Sequence, residues 1–412
     1  MRLDSSVESL LPANDPEKAY YSEVRQQFGS DEIGVIGVLA DDVYTPPVLQ
    51  KMQRLTEAIR QIPEVKNVIS LTNAPDIITS VARESARLVP DVNAPHAAMA
   101  DLKRRLTEQP VYLKNLVSAD GRAAAINIFF ENLGDDEFFR RGIDDRIQAL
   151  VEKEKGPEKL YYTGLPHFKV HSTRAMWADL TLFIPLTLVL LVIVLFFSFR
   201  SVRGVLLPTL TVIVSLIWTL GLMTLAGSSL SLGNMALPPL VLVLGTAYSL
   251  HVVAEYYELT RPGCSVAEVI TETLRATTTP LFIAALTTVI GFISLAANSI
   301  VSIRELGIYA AVGITIAFLL SIVLVPALLM LLPLPTKRTE AFSPRVSAVL
   351  RTLAALSSRQ RRLVIASSLL LVVLSTWQAA TIQVGSDFQS FFAKLTRFGR
   401  RPMRSTVPWL AA

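Results

Sequence analysis

Six stretches of this chain are apolar for long enough to cross a lipid bilayer, and that limits its fold more than any other feature. They are Ala178–Phe199, Val205–Ala226, Met235–Ala254, Thr279–Asn298, Leu306–Leu332 and Leu363–Ala380. A hydrocarbon core of about 30 Å takes roughly 20 helical residues. The runs carry almost no charge and are apolar nearly all round, whereas a helix at the surface of a soluble core keeps one polar face. The expectation is an α-helical polytopic membrane bundle, with five transmembrane helices within 173–335 and a further one within 363–381.

Charge is segregated along the chain. Residues 1–172 hold 21 Lys and Arg against 26 Asp and Glu, a balance of −5, and the remainder holds 18 against 8. The formal charge of +5 therefore comes from basic loops between apolar segments and does not suggest a nucleic-acid partner. Positive residues in short loops mark the cytoplasmic side. One side collects Arg200, Arg203, Arg261, Arg275, Lys337, Arg338, Arg345, Arg351, Arg359, Arg361 and Arg362, and the other side's short loops carry only Arg304. This predicts a basic cytoplasmic linker at 336–362 and places residues 1–172 in the periplasm or its equivalent. No apolar run precedes that domain to start its export, so a spanning helix is expected upstream of Met1. The tail at 382–412, with Lys394, Arg397, Arg400, Arg401 and Arg404, runs against the charge rule and reads as truncated or aberrant.

Residues 1–172 read as an α+β domain. Strands are predicted at Ile33–Ala40, Val65–Leu71, Ala123–Phe130 and Leu160–Thr163. Helices are predicted at Pro46–Gln61, Ala97–Thr107 and Asp135–Lys153. On the first helix Val48, Met52, Leu55 and Ile59 fall at helical spacing, with Thr45 and Pro46 at capping positions. The order β-α-β, insertion, β-α-β matches a ferredoxin-like split βαβ unit.

Enzyme chemistry finds no support, and no catalytic residue is assigned. Cys264 is the only cysteine, which excludes an internal disulfide or a cysteine metal site. His96, His167 and His171 show no metal-ligand spacing with carboxylates. The pairs Asp41-Asp42, Asp135-Asp136-Glu137 and Asp144-Asp145 read as solvated loops or helix N-termini. No Gly-rich phosphate loop is present, and no cofactor or metal is expected.

Several segments in their order and spacing resemble one half of a resistance-nodulation-division (RND) exporter, in the MMPL-like branch related to sterol-sensing domains. Pro12-Ala13-Asn14-Asp15-Pro16-Glu17 and Phe28-Gly29-Ser30-Asp31-Glu32 resemble the opening of the family's periplasmic porter domain. Gly245-Thr246-Ala247-Tyr248-Ser249-Leu250-His251 with Glu255-Tyr256-Tyr257-Glu258 resembles the end of its fourth helix. Thr287-Thr288-Val289-Ile290-Gly291-Phe292, Arg304-Glu305-Leu306-Gly307 and Pro326-Ala327-Leu328 resemble its fifth and sixth. A short repeat, Leu3–Leu11 against Val384–Phe392, parallels the start of the family's two halves. The resemblance implies an exporter of a hydrophobic or lipid-like substrate driven by the proton gradient, in the inner (plasma) membrane. Its partners would be the lipid bilayer, that substrate, and a missing second half or a homo-oligomeric copy.

In many members an Asp precedes the Tyr of the fourth-helix motif; this chain has Ala247. The nearest ionisable group is His251, on one helical arc with Tyr248 and Glu255, and the three form the proton-coupling candidates. The competing reading is a structural histidine near the cytoplasmic end. Thr287 and Thr288 are membrane polar candidates, against the alternative that their hydroxyls satisfy their own helix. Gly291, Gly307 and Gly313 read as close-packing positions. Asn234 and Asn298 read as caps. Other functions open at this point are a non-transporting sterol-sensing-like module, a Sec-accessory membrane protein and a nonfunctional gene fragment.

Overall fold

A computed structural model of the protein describes residues 3–6, 12, 16–28, 32–75, 88–89, 91–93, 99, 102–104, 106, 111–261, 263–333 and 344–382. Ala13–Asp15, Gly29–Asp31, His96, Val384–Phe392 and the tail from Lys394 lie outside them. The expected helix at Ala97–Thr107 is described at Met99, Leu102, Lys103, Arg104 and Leu106, all helical. The chain forms two compact units that divide between Ala178 and Asp179.

The first unit contains α1 (Pro16–Phe28), β1 (Ile33–Leu39), α2 (Pro46–Arg60), β2 (Val65–Ile69), β3 (Ala123–Phe130), α3 (Asp135–Arg140), α4 (Ile143–Lys153) and β4 (Lys159–Gly164). The strands form one sheet in the order β2-β3-β1-β4, with every neighbouring pair antiparallel. Along β1, buried positions alternate with half-buried ones, the period of a strand with one face on a core. Its register sets Ile36 opposite Ile126 on β3 and Tyr162 on β4. The apolar face of α2 closes over this sheet with Val48, Leu49, Met52, Leu55 and Ile59, joined by Ile143 and Ile147 of α4.

The single helix expected over Asp135–Lys153 is two. Gly142 sits in the left-handed region at φ 61 between α3 and α4, a conformation that glycine adopts without steric penalty. The break starts α4 on its own axis with Asp144 and Asp145 in its first turn.

The second unit is helical: the apolar part of α5 (Leu165–Phe199), then α6 (Val202–Leu225), α7 (Leu237–Leu259), α8 (Val266–Ser294), α9 (Val301–Met330), α10 (Pro344–Arg359) and α11 (Arg361–Ala379). Among the described residues six of these helices, all but α10, are long and apolar enough to cross a membrane, and they match the six apolar stretches. Two helices start thirteen residues early: α5 at Leu165 rather than Ala178, and α8 at Val266 rather than Thr279. Ser265 and Glu268 form a reciprocal cap there, at 3.3 and 2.9 Å. That cap starts the helix thirteen residues early, through a polar turn that hydropathy alone leaves out. Pro280 consequently lies inside α8, as Pro185, Pro208 and Pro326 lie inside α5, α6 and α9.

Candidate functional site

The four helices α6 to α9 pack on one another, with α9 against α6, α7 and α8. The most enclosed is α7: 56% of its apolar window is buried, against 39% for α6 and α9, 17% for α5 and 11% for α8. Beside a cluster of large buried side chains such as Val252, Val253, Tyr256 and Ile314, one seam of the interior is small. On α9 the buried stripe is Ala310, Gly313, Ala317, Ser321 and Val325. Facing it lie Thr211, Ser215 and Thr219 of α6 and Gly245, Thr246 and Ser249 of α7. A Cβ on Gly313 would stand 2.7 Å from Val241 and 2.9 Å from Thr219; one on Gly245 would stand 2.9 Å from Ala317. Small residues let helix backbones approach where lipid removes the hydrophobic incentive to associate. A Cβ on Gly307 would likewise stand 2.5 Å from the Phe292 carbonyl oxygen, whereas one on Gly291 would meet nothing within 4 Å among the described residues, so Gly291 is not a packing position.

The hydroxyls of this seam are satisfied. Thr211, Thr219, Thr246 and Ser321 donate to carbonyls one turn earlier, at 2.6–2.8 Å. Ser215 instead reaches across to the Gly313 carbonyl at 3.1 Å, tying α6 to α9.

The residues singled out in the sequence divide between this interior and the outside. Tyr248 is buried, its ring edge-on to Phe318 at 6.1 Å, with its phenol within reach of Thr288. Ala247 and His251 are exposed and Glu255 is half-buried. The structure thus places Tyr248 within the seam and His251 on the outward side of the same helix. Thr287 and Thr288 both donate to the Ala284 carbonyl, at 3.0 and 2.8 Å. At one end of the bundle Asn234 is fully buried, accepting from the Ser231 amide at 2.7 Å and donating to Glu305 at 3.2 Å. Asn298 accepts from the Ile300 amide at the start of α9, at 2.8 Å. At the other end Tyr257 and Ser201 share a hydrogen bond of 2.9 Å.

A bundle of apolar helices with a small-residue seam, and a fourth-helix-like motif on its most enclosed member, is the setting in which the sequence match becomes decisive. The profile of the MMPL family matches residues 43–374. The chain belongs to the MMPL family. That family lies within the RND superfamily, and the protein is a membrane protein whose apolar helices have the lipid bilayer as their solvent. Among similar proteins is one from Methanocaldococcus jannaschii named "Putative membrane protein MJ1562", 24% identical over 341 residues, or 80% of this chain and 85% of that protein. Another is "Putative membrane protein SCO5905" from Streptomyces coelicolor, 25% identical over 297 residues, which are 70% of this chain but 32% of that longer protein.

The MMPL chain carries a second polar cluster, in its first unit, at the first turns of α5. Lys169 bridges Glu32 at 2.6 Å and Asp135 at 2.9 Å. Arg174 meets Asp145 at 2.5 Å. His167 Nδ1 stands 2.8 Å from Asp144 Oδ1, and His171 Nε2 stands 3.8 Å from Asp144 Oδ2. Burial, and then the charge of Asp144, push the Tyr162 hydroxyl well above the ordinary tyrosine range. Asp144 stands in the first turn of α4, as expected of a helix N-terminus, but it is not solvated: it is 1% exposed. The sequence signal for this grouping was the i, i+4 spacing of His167 and His171, which sets two rings on one helix face. The carboxylate that completes it lies 23 residues earlier.

Proposed function

We propose that this MMPL protein is the first half of an RND-type transporter that moves a hydrophobic or lipid-like substrate across the inner membrane at the expense of the proton gradient. The observation that carries the reading is α7. The helix with the fourth-helix-like motif is the most enclosed of the spans, and it presents Thr246, Tyr248 and Ser249 inward. Residues 1–172 act in this reading as a periplasmic porter-like domain, for which the sheet order β2-β3-β1-β4 around two β-α-β units gives support, because it is the order of a ferredoxin-like split βαβ fold. His251 is the proposed proton-responsive group, with Tyr248 and Glu255 on its helix. Its outward position suits a residue that meets a second half or a second copy rather than this chain's own core. Ionisable groups at membrane depth face a protein or water environment rather than lipid.

A second reading draws on Ala247. With no carboxylate at that position, the bundle fits a non-transporting, sterol-sensing-like module that binds a lipid and signals through its shape. Reconstituting the full chain in proteoliposomes with an imposed pH gradient and a fluorescent lipid analogue separates the two. Gradient-dependent flux that falls at least about tenfold in His251→Ala is the expected result, since a positioned proton-transfer group contributes roughly 100-fold or more. Flux indifferent to His251→Ala removes the coupling role, and lipid binding without flux selects the sensor.

A further inference from the structure

The knot formed by Asp144, His167 and His171 has no place in the transport reading and stands on separate ground. Among the described residues five side chains bury a polar atom without a hydrogen-bond partner, and three belong here: Asp144 Oδ2, His171 Nε2 and the Tyr162 hydroxyl. Buried polar atoms are nearly always partnered, so each exception asks for a cause. Leaving one unpartnered forfeits its solvation without return, and the loss is greater for a charged group.

The charge balance sharpens the point. A buried carboxylate has to be paired. The neighbouring cations are already engaged: Arg174 with Asp145, Lys169 with Glu32 and Asp135, Arg146 and Arg141 with Glu64. Only the two imidazoles face Asp144 among its described ion-pair contacts. The 3.8 Å between His171 Nε2 and Asp144 Oδ2 is too long for a hydrogen bond. Ligands bound at about 2.0–2.1 Å in a tetrahedron stand roughly 3.3–3.5 Å apart, so this pair would close by a few tenths of an ångström around an ion, and His167 Nδ1 and Asp144 Oδ1, now 2.8 Å apart, would open by about as much.

We propose that Asp144, His167 and His171 form a divalent-cation site of the zinc type. One ligand atom from each lies within 4.8 Å of the others. The histidines come from successive turns of α5, with ring centroids 4.2 Å apart, and the carboxylate comes from the first turn of α4. Two imidazoles and one carboxylate suit zinc and leave a fourth position for water. The ring of Tyr162 rests 4.5 Å from that of His167, and its hydroxyl lies beside the Asp144 carboxylate. A bound ion would clamp the first turns of α5 to α4, so that the stability of the first unit depends on metal.

The test uses the full chain, purified in detergent without a histidine tag, stripped of metal and titrated with Co2+ and then Zn2+. The chain holds four histidines and one cysteine, so background ligation is small. Stoichiometric visible ligand-field absorption from Co2+, displaced by Zn2+, is expected. His171→Ala and His167→Ala should weaken binding by more than the roughly 10–100-fold caused by losing an outer-shell partner, while His96→Ala keeps it. Asp144→Asn should act likewise; if that buried change prevents folding, the half-exposed His171 decides alone. No ligand-field band in the parent chain overturns the site, as does a band that survives both His167→Ala and His171→Ala.

Discussion

The two units of this protein both bury large apolar side chains but differ in what they bury beside them and in what they turn outward. The first unit fills its interior with Ile36, Leu49, Met52, Ile126, Ile128 and Ile147, all fully buried, and turns most of its charges outward, with Lys51, Glu64, Asp144 and Lys169 as buried exceptions. The second keeps Thr211, Ser215, Thr219, Ser249 and Ser321 fully buried. It turns Leu182, Phe183, Val189, Phe196 and Phe197 of α5 outward. The difference lies in the solvent. Water drives large side chains inward, at about 25 cal/mol per Å² of apolar surface removed from it. Lipid gives no such reward, so close backbone approach and cross-helix hydrogen bonds hold the bundle instead. Exposure in the two units is thus the same geometric quantity with a different physical meaning.

The sharpest way to break that comparison is the same substitution type at a buried and at an outward phenylalanine. Phe130 is 5% exposed and meets Phe138 edge-on at 5.0 Å. Phe130→Ala should cost about 3–5 kcal/mol, within the range for large core truncations, read as an earlier unfolding transition in denaturant. Phe197 is 66% exposed, and Phe197→Ala should leave that transition within about 0.5 kcal/mol.

Next in size is a charge placed at matched exposure. Val111 is 57% exposed in the first unit and Val189 is 54% exposed midway along the apolar part of α5. Val189→Lys should cost about 2.5–3.5 kcal/mol of insertion free energy, visible as a loss of membrane-integrated protein. Val111→Lys should be silent. Equal yields would mean that α5 does not face lipid.

A methyl group probes the seam itself. Gly313→Ala brings a Cβ against Val241 and Thr219 and should lower the thermal midpoint of the bundle, at about 1–3 kcal/mol for overpacking. Gly291→Ala, with nothing within 4 Å, should leave it unchanged.

Acidity separates the units in a different way. Burial raises the Glu64 carboxyl, but a hydrogen bond from its own backbone amide, and then those from Arg146 at 2.8 Å and Arg141 at 3.4 Å, outweigh it and hold the group below the usual carboxylate range. Arg54 lowers Glu154 in the same direction, and Lys51 lowers Glu158. Groups with depressed native values contribute stability above the ordinary glutamate range and lose it as pH falls through the native value. The first unit should therefore weaken on acidification below that range, and Glu64→Gln should flatten the acid limb of its stability-versus-pH curve. The seam, built from hydroxyls and small residues, should show no comparable limb.

The smallest effect is expected at Ser215→Ala, which removes the bond to the Gly313 carbonyl. Interhelical hydrogen bonds in membranes average about 0.6 kcal/mol, a shift that a careful thermal melt resolves.

Spans, strands and family were legible because each rests on local pattern: about 20 apolar residues, short β-rich runs such as Ile33–Ala40, the Gly245–His251 run. What escaped was either too polar for hydropathy or too distant for spacing. The early start of α8 is set by two side chains, Ser265 and Glu268. The break at Gly142 comes from one residue inside an otherwise helical pattern. Tyr248 and His251 share a helical arc, yet three residues of rotation sufficed to leave one inside and the other outside. The bonds of Glu64 to Arg141 and Arg146 span 77 and 82 residues, and the contact of His167 with Asp144 joins separate helices. Such pairings exist only once the chain has folded.

The turn that opens α8 leaves one more consequence. Cys264, half-buried, stands immediately before the Ser265 cap and is the sole thiol in the chain. The protein therefore carries a native reporter of its own sidedness. A membrane-impermeant maleimide applied to sealed, oriented vesicles would label that turn from one face only, without any engineered residue.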